Sequence, residues 1–341
     1  MKLKRVVKIR ILIIHTAFIG DIVLSTPLIK KLKDAYPKAE LTYLTTPVGA
    51  SILRNNPHIS HIIEYDKRGE HKGLVGLWAI GKKLRIEAYN IVITPHRYFR
   101  SSFLTWLTGA PVRRGYDNAA GKFFYTEKIH YDKNKHEVEK LLSFVKKDEK
   151  KRYEIEVFPG TFEKERADEI FKNINKKIVV IAPGSKWFTK RWPTEYFREV
   201  IKKLEKREDT VVVVVGGKEE RLLNIPLAEK SIDLRGMTTL LELAEVIKRA
   251  AVILTNDSSP IHIASAFSNV RIIAIFGPTT KDLGFFPWSK NSEVLQVEDL
   301  ECRPCSLHGG DSCPKKHFKC MVDIKPEVVL ERIENVLEKE K

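Results

Sequence analysis

What this 341-residue sequence most plainly lacks is a long apolar run. A membrane-spanning helix needs about 20 consecutive apolar residues. The apolar runs here, such as residues 11–14 and 211–215, are only strand length. The basic opening MKLKRVVKIRILIIH has a short apolar core and no small-residue cleavage site, so it does not read as a signal peptide, and a cytoplasmic location is expected. There is no G-x-G-x-x-G, which argues against a dinucleotide-binding first domain, and no Walker A loop. Glutamine occurs once, at Gln296, in a charge-rich background, a balance shared by heat-adapted proteins. Acidic residues are also short: 44 Asp+Glu stand against 60 Lys+Arg, a net charge of +16. Such an excess points to an anionic partner. Signatures of RRM, KH, zinc-finger or helix-turn-helix modules are missing, so nucleic acid is not the expected one.

What is there is an ordinary globular composition, 43% hydrophobic and 30% charged. At roughly 150 residues per domain the length suggests two domains. Strand-like segments (10–15, 40–45, 61–65, 90–94) alternate with helix-like ones (22–35, 74–87), the pattern of a parallel sheet covered on both faces. Pro27 should kink the first helix or delay its start. The pattern weakens through a charged helical stretch at 133–152 and a short strand at 154–160. It resumes with strands at 178–182, 210–216, 252–255 and 271–276 and helices at 194–207, 238–249, 260–267 and 325–341. The expected fold class is α/β, with two doubly wound sheets: a domain over 1–172, a second over 173–325, and a C-terminal helix over 326–341.

Ligands bind doubly wound sheets at the carboxyl ends of the strands, so the loops there are the candidates. The first loop ends in Gly20-Asp21. Asp21 has two readings, a helix N-cap or a carboxylate available as a base. The loop 183–193, PGSKWFTKRWP, gathers hydroxyls, three cations and two tryptophans in the manner of an anion site. The loop 256–262, NDSSPIH, carries a strong helix-start signal at Pro260 and suits a diphosphate. Arg97, Arg100, Arg113, Arg114 and Lys122 form a basic cluster in the first domain, suited to carboxylates or phosphates on a second substrate. Four cysteines, Cys302, Cys305, Cys313 and Cys320, follow the spacing C-x2-C-x7-C-x6-C with His308 and His317 among them. Structural zinc, two disulfides and free thiols all remain open for them.

Taken together these loops resemble family-9 glycosyltransferases, the bacterial lipopolysaccharide heptosyltransferase family. The resemblance rests on IGDIVLSTPLIKKLKDAYPKAELTYLT, on PGSKWFTKRWP, on DLRGMTTLLELAEVIKRAAVILTNDSSPIHIASA followed by IFGPTT, and on the C-terminal CxxC with a later His-x-x-Cys-Met. It is poor over residues 66–150. It implies a GT-B fold, two Rossmann-like domains facing a cleft, with the C-terminal helix often returning to the first. It also implies inverting transfer of heptose from ADP-heptose to the lipopolysaccharide inner core (Kdo-lipid A or heptosyl-Kdo), with no cofactor required. By that similarity Asp21 is the base. Lys190, Ser185 and Thr189 hold donor phosphate, and Asp257, Ser258, Ser259 and His262 flank the diphosphate or sugar. Glu219 or Glu220 reaches the adenosine, and Arg97, Arg100, Arg113 and Arg114 face the acceptor. Ser259 stands where the family usually has glycine, which bears on donor specificity. The implied partners are an ADP-sugar, an anionic glycolipid and the anionic inner face of the cytoplasmic membrane. The alternatives are a GT-B transferase with another nucleotide sugar or acceptor, and a nucleotide-sugar epimerase.

Overall fold

The computed structural model describes residues 8–146 and 151–339. The chain divides into two compact units, Met1–Val157 and Phe158–Lys341.

The first unit runs β1 (Arg10–Ile14), α1 (Ile19–Leu24), α2 (Thr26–Ala35), β2 (Glu40–Thr45), α3 (Pro47–Leu53), β3 (His61–Glu64), α4 (Gly73–Ile86), β4 (Ile91–Thr94), α5 (Phe99–Leu107), β5 (Val112–Tyr116), β6 (Glu127–Ile129) and α6 (Glu137–Leu142). Its sheet has the order β3-β2-β1-β4-β5-β6, every pairing parallel. Helices cover both faces, which is why β1 and β4 are continuous apolar runs rather than alternating ones. Leu12, Ile14, Leu44 and Val92 meet Leu77, Ile80, Leu84 and Leu104 in one core. Pro27 breaks the first helix in two at Ser25. Proline has no N–H for the carbonyl of Val23, and the Thr26 hydroxyl donates to it instead at 2.8 Å.

The second unit runs α7 (Thr161–Ile170), β7 (Lys177–Ala182), α8 (Thr194–Leu204), β8 (Thr210–Val214), β9 (Ile232–Asp233), α9 (Leu240–Lys248), β10 (Val252–Asn256), α10 (Ser259–Ala264), β11 (Arg271–Phe276), β12 (Ser292–Gln296), α11 (Lys319–Val322) and α12 (Pro326–Lys339). Its sheet order is β12-β11-β10-β7-β8-β9, again all parallel, so both units repeat one topology. The order reverses between β1 and β4 in one unit and between β7 and β10 in the other. Those switch points are where doubly wound sheets place their ligands.

Several expectations need correction. The unit boundary lies at 157/158 rather than 172/173, because α7 packs against α9 and Arg249 ties to Asp168 and to the carbonyl of Lys164. The stretch 154–160 forms no strand, and of the helix expected over 133–152 only α6 forms among the described residues, 147–150 lying outside them. The apolar stripe of α12 is used within the second unit. Val329, Leu330, Ile333 and Leu337 join the core that α8, β7 and β11 build. Residues 340–341 of that expected helix lie outside the described residues. No described helix is long and apolar enough to cross a membrane.

Candidate active site

In the second unit the ends of β7, β10 and β11 converge on Asp257. Its buried carboxylate takes the Lys190 ammonium at 2.6 Å and the Thr279 hydroxyl at 2.6 Å, both on Oδ2. Its N–H donates to the Ile275 carbonyl, which fixes it just past the β10 ladder. The loop 183–193 thus contributes its cation, the turn after β11 a hydroxyl, and the end of β10 the anion between them.

Three supports hold this triad, and none was among the expected site residues. Asn256 is fully buried at the end of β10. Its Nδ2 donates to the Pro183 carbonyl at 2.7 Å and its Oδ1 accepts from the Trp192 N–H at 3.0 Å, so one amide closes both ends of the Lys190 loop. Trp192, buried in the core, donates its indole N–H to the Ile324 carbonyl. Arg303 sends its forked guanidinium to the carbonyls of Phe276, Gly277, Val297 and Thr279, clamping the turn that carries Thr279. A buried polar residue ending an apolar run is the one sequence signal that marks Asn256. Arg303 has none beyond its place inside CxxC.

The remaining donor-side expectations fare differently. The Thr189 hydroxyl does not face outward. It accepts from the Gly310 N–H at 2.8 Å and donates to the Gly310 carbonyl at 3.0 Å, latching the cysteine loop onto the Lys190 loop. Gly309 there has φ +91°, and a Cβ on it would press within 3.0 Å of Trp187, so that contact asks for glycine. Ser185 is buried, its carbonyl accepting from Arg191. Ser258 is the extended N-cap residue of α10 and Ser259 its first residue. The backbone at 259 is not left-handed, so Ser in place of Gly changes bulk without strain. His262 is buried within α10. Of the two glutamates, Glu219 is exposed, while Glu220 lies over the backbone of Gly184, Gly216 and Gly217 at the β7 and β8 ends.

In the first unit Asp21 is the third residue of α1, not its N-cap. The N-cap is Phe18, whose N–H donates back to Asp21 Oδ2 at 3.2 Å. The carboxylate is half-buried. Beneath it lies a buried polar chain: Ser25 Oγ is 2.7 Å and His15 Nδ1 is 3.2 Å from the Tyr43 hydroxyl. Burial, with Asp21's charge adding, raises the Tyr43 pKa. Across the switch point, the His15 and His96 rings lie 6.1 Å apart edge to face, and His96 Nδ1 reaches Ser101 Oγ at 2.9 Å. Lys67 Nζ donates to the Thr16 carbonyl at 2.9 Å. These imidazoles follow buried strands, and a polar ring just past an apolar run is the sequence signal for them.

Burial, with His96 beside it, lowers His15 to about 3, and burial with Lys67 and Arg97 lowers His96 to about 4. Both are neutral at pH 7, whereas the unfolded chain takes up protons near pH 6.5. The folded state therefore binds fewer protons in acid, so stability falls as pH drops from about 6.5 toward 4 and on toward 3. We expect thermal melting midpoints to fall through that window and His96→Gln to flatten the slope. An unchanged slope in the variant would assign the acid loss to other groups.

The basic cluster is mostly committed to the fold. Arg100 donates to Tyr65 Oη and to the carbonyls of His71 and Gly73. Arg113 donates to the carbonyls of Phe124 and Ala110, and Arg114 pairs with Glu127 and the Phe144 carbonyl. Arg97 stacks over Tyr131 at 4.3 Å, just past the end of β4. All four cysteines are free thiols. Cys305 donates to the Cys302 carbonyl, and burial with neighbouring thiols pushes Cys320 up to about 11. Among the described residues no group of three or more Cys, His, Asp or Glu is arranged to hold a metal ion, so the zinc reading finds no support.

Two doubly wound units of one topology are the architecture of the GT-B fold. The model of glycosyltransferase family 9 (heptosyltransferase) matches residues 77–316, and the chain belongs to that family. It is 28% identical over 331 residues to a lipooligosaccharide heptosyltransferase 2 of Campylobacter jejuni, covering 94% of this chain and 96% of that protein. The structure of a family-9 glycosyltransferase from Veillonella parvula superposes with a TM-score of 0.86 at 23% identity, covering 99% of both chains. The Escherichia coli heptosyltransferase WaaC with ADP gives 0.72 at 20% identity, covering 96% of this chain and 100% of that one. The matched span includes much of 66–150, where the motif resemblance was poor.

Proposed function

We propose that the protein transfers heptose, with inversion, from ADP-heptose to the inner core of lipopolysaccharide, acting at the inner face of the cytoplasmic membrane. The observation that carries this reading is the Lys190–Asp257–Thr279 triad at the second unit's switch point, in a chain whose relatives are lipopolysaccharide and lipooligosaccharide heptosyltransferases. Lys190 and the N–H groups opening α10 suit the charge that develops on a departing nucleoside diphosphate. Ser185, Ser258, Ser259 and His262 border that position, and Glu220 suits the ribose or adenine. Thr189 acts by holding the loop rather than by touching phosphate. Asp21 takes the proton of the attacking acceptor hydroxyl, and one base suffices for a single inverting displacement. Arg97 and Lys67 are the first-unit cations we assign to an anionic acceptor. Arg100, Arg113 and Arg114 shape that side through the fold.

A thermal-shift panel of ADP, UDP, GDP and CMP tests the donor class, because a ligand of the native state raises its melting point. We expect ADP to stabilise most and Lys190→Ala to remove the shift. Preference for UDP or GDP would move the protein to another nucleotide sugar. Stabilisation by ADP-heptose without transfer to any core acceptor would favour an epimerase.

A further inference from the structure

The first unit carries an apolar surface that continues outward from its core through Phe103 and that the catalytic residues do not use. A helix packed on a sheet normally turns a polar face outward. On α4 the inner stripe Leu77, Ile80 and Leu84 joins the core, yet the opposite side presents Leu74, Val75 and Trp78, with Leu74 74% and Val75 84% exposed. On α5 the inner Leu104 and Leu107 are buried, while Phe99 and Trp106 stand exposed one face away with Phe103 between them. The short 3-10 turn Lys122–Phe124 adds Phe123, 67% exposed.

The rings among these groups form one connected cluster. Phe103 is stacked between Phe99 at 6.2 Å and Trp106 at 5.6 Å. Trp78 meets it edge-on at 6.1 Å, and Phe124 joins at 5.6 Å. Ring–ring contact across three elements holds the rings outward as a rigid set instead of letting them fold onto the helices. Contiguous exposed apolar surface of this kind marks an interaction site.

The rim says what the site meets. From Lys72 to Ile86 every charged residue is a cation: Lys72, Lys82, Lys83 and Arg85, all exposed. Lys122 adds an exposed cation beside Phe123. Tryptophan and phenylalanine edged by lysine is the composition that settles at the headgroup level of a bilayer. There the rings enter the acyl boundary and the ammonium groups meet lipid phosphate.

We infer that the outer faces of α4 and α5, with the 3-10 turn at Lys122–Phe124, insert into the headgroup layer of an anionic membrane. The choice of a lipid surface rests on the proposed glycolipid acceptor. The surface itself rests on exposure, ring contacts and charge. Attraction by net charge alone would be a different mechanism, removed by salt and indifferent to the rings.

The test is co-sedimentation of the full chain with phosphatidylcholine vesicles containing a graded fraction of phosphatidylglycerol. Wild type should bind increasingly with the anionic fraction and keep part of its binding at high salt. Val75→Ser/Trp78→Ser/Phe123→Ser changes only exposed positions and should lower the partition coefficient on the order of tenfold or more. Its melting point and ADP binding should stay at wild-type values. Tryptophan quenching by brominated lipid should fall in the same variant. Vesicle binding unaffected by the triple change would overturn the proposal. So would a wild-type dimer that the triple change breaks while vesicles are ignored, since that makes the face a protein interface. Transfer from ADP-heptose to a detergent-dispersed inner-core glycolipid, with no vesicle present, reads the glycolipid proposal separately. Its absence in wild type would sink that proposal and leave the vesicle result standing.

Discussion

Replacing Asp21 with asparagine is expected to lower turnover by roughly 10²–10⁴-fold, the usual share of a general base. The same change should leave the melting point and ADP affinity nearly untouched. The reason lies in what the carboxylate does for the fold. Asp21 Oδ2 accepts from the Phe18 N–H, closing the first turn of α1 from its third position. An asparagine carbonyl can accept the same bond, so the capping contribution survives while the proton acceptor is lost. Asp21→Ala removes both and should cost stability, about 0.5–2 kcal/mol, as well as rate. Turnover and melting point on the two variants therefore separate a base from a cap. An Asn variant with near-normal turnover would eliminate Asp21 as the base, whatever the Ala variant did.

Sequence patterning revealed the architecture well because parallel strands buried on both faces leave an unmistakable trace. Residues 10–15, 90–94, 210–216 and 252–255 are nearly pure apolar runs, and each is a strand beside a switch point or adjoining one. Edge elements were harder to read. β6 and β9 are two or three residues long and half-exposed, so no run or alternation announces them. The helix α5 leaves no helical period in the sequence because its apolar residues lie on both sides, inward to the core and outward to the ring cluster.

At the site, the residues that touch one another were legible only as loops. Lys190 and Asp257 are far apart in sequence, and nothing local says that one ammonium meets one carboxylate at 2.6 Å. Thr189 looked like a phosphate ligand because a hydroxyl beside a lysine is what such loops contain. Its partner, Gly310, comes from a loop whose position depends on the Arg303 clamp and the glycine at 309. The same contacts give the cysteine loop a structural role, since they latch it onto the Lys190 loop. Arg113 and Arg114 read as surface cations suited to an acceptor, but guanidinium groups also serve as cross-ties for backbone carbonyls in a twisted sheet, and here they do.

For Lys190→Ala the expected result is a joint loss in ADP-sugar affinity and turnover, of about 1.5–3 kcal/mol or on the order of 10- to 100-fold. Both quantities fall together because a phosphate contact exists in the ground state and strengthens as charge develops on the leaving group. The structure adds a second consequence. Lys190 is the cation on a buried carboxylate, and removing it leaves Asp257 with the Thr279 hydroxyl on the oxygen the lysine held. Breaking a buried pair from one side is costly, because the remaining charge stays desolvated. The variant should therefore also melt lower. The double change Lys190→Ala/Asp257→Asn separates the two effects. If the lost stability comes from the stranded carboxylate, the double variant recovers much of the melting point, since asparagine carries no charge to strand. If Lys190 holds donor phosphate, ADP affinity and turnover do not recover with it. Recovery of ADP affinity in the double variant would make Lys190 a partner of Asp257 and nothing more, and the phosphate contact would have to be sought among Lys186, Arg191 and the serines opening α10.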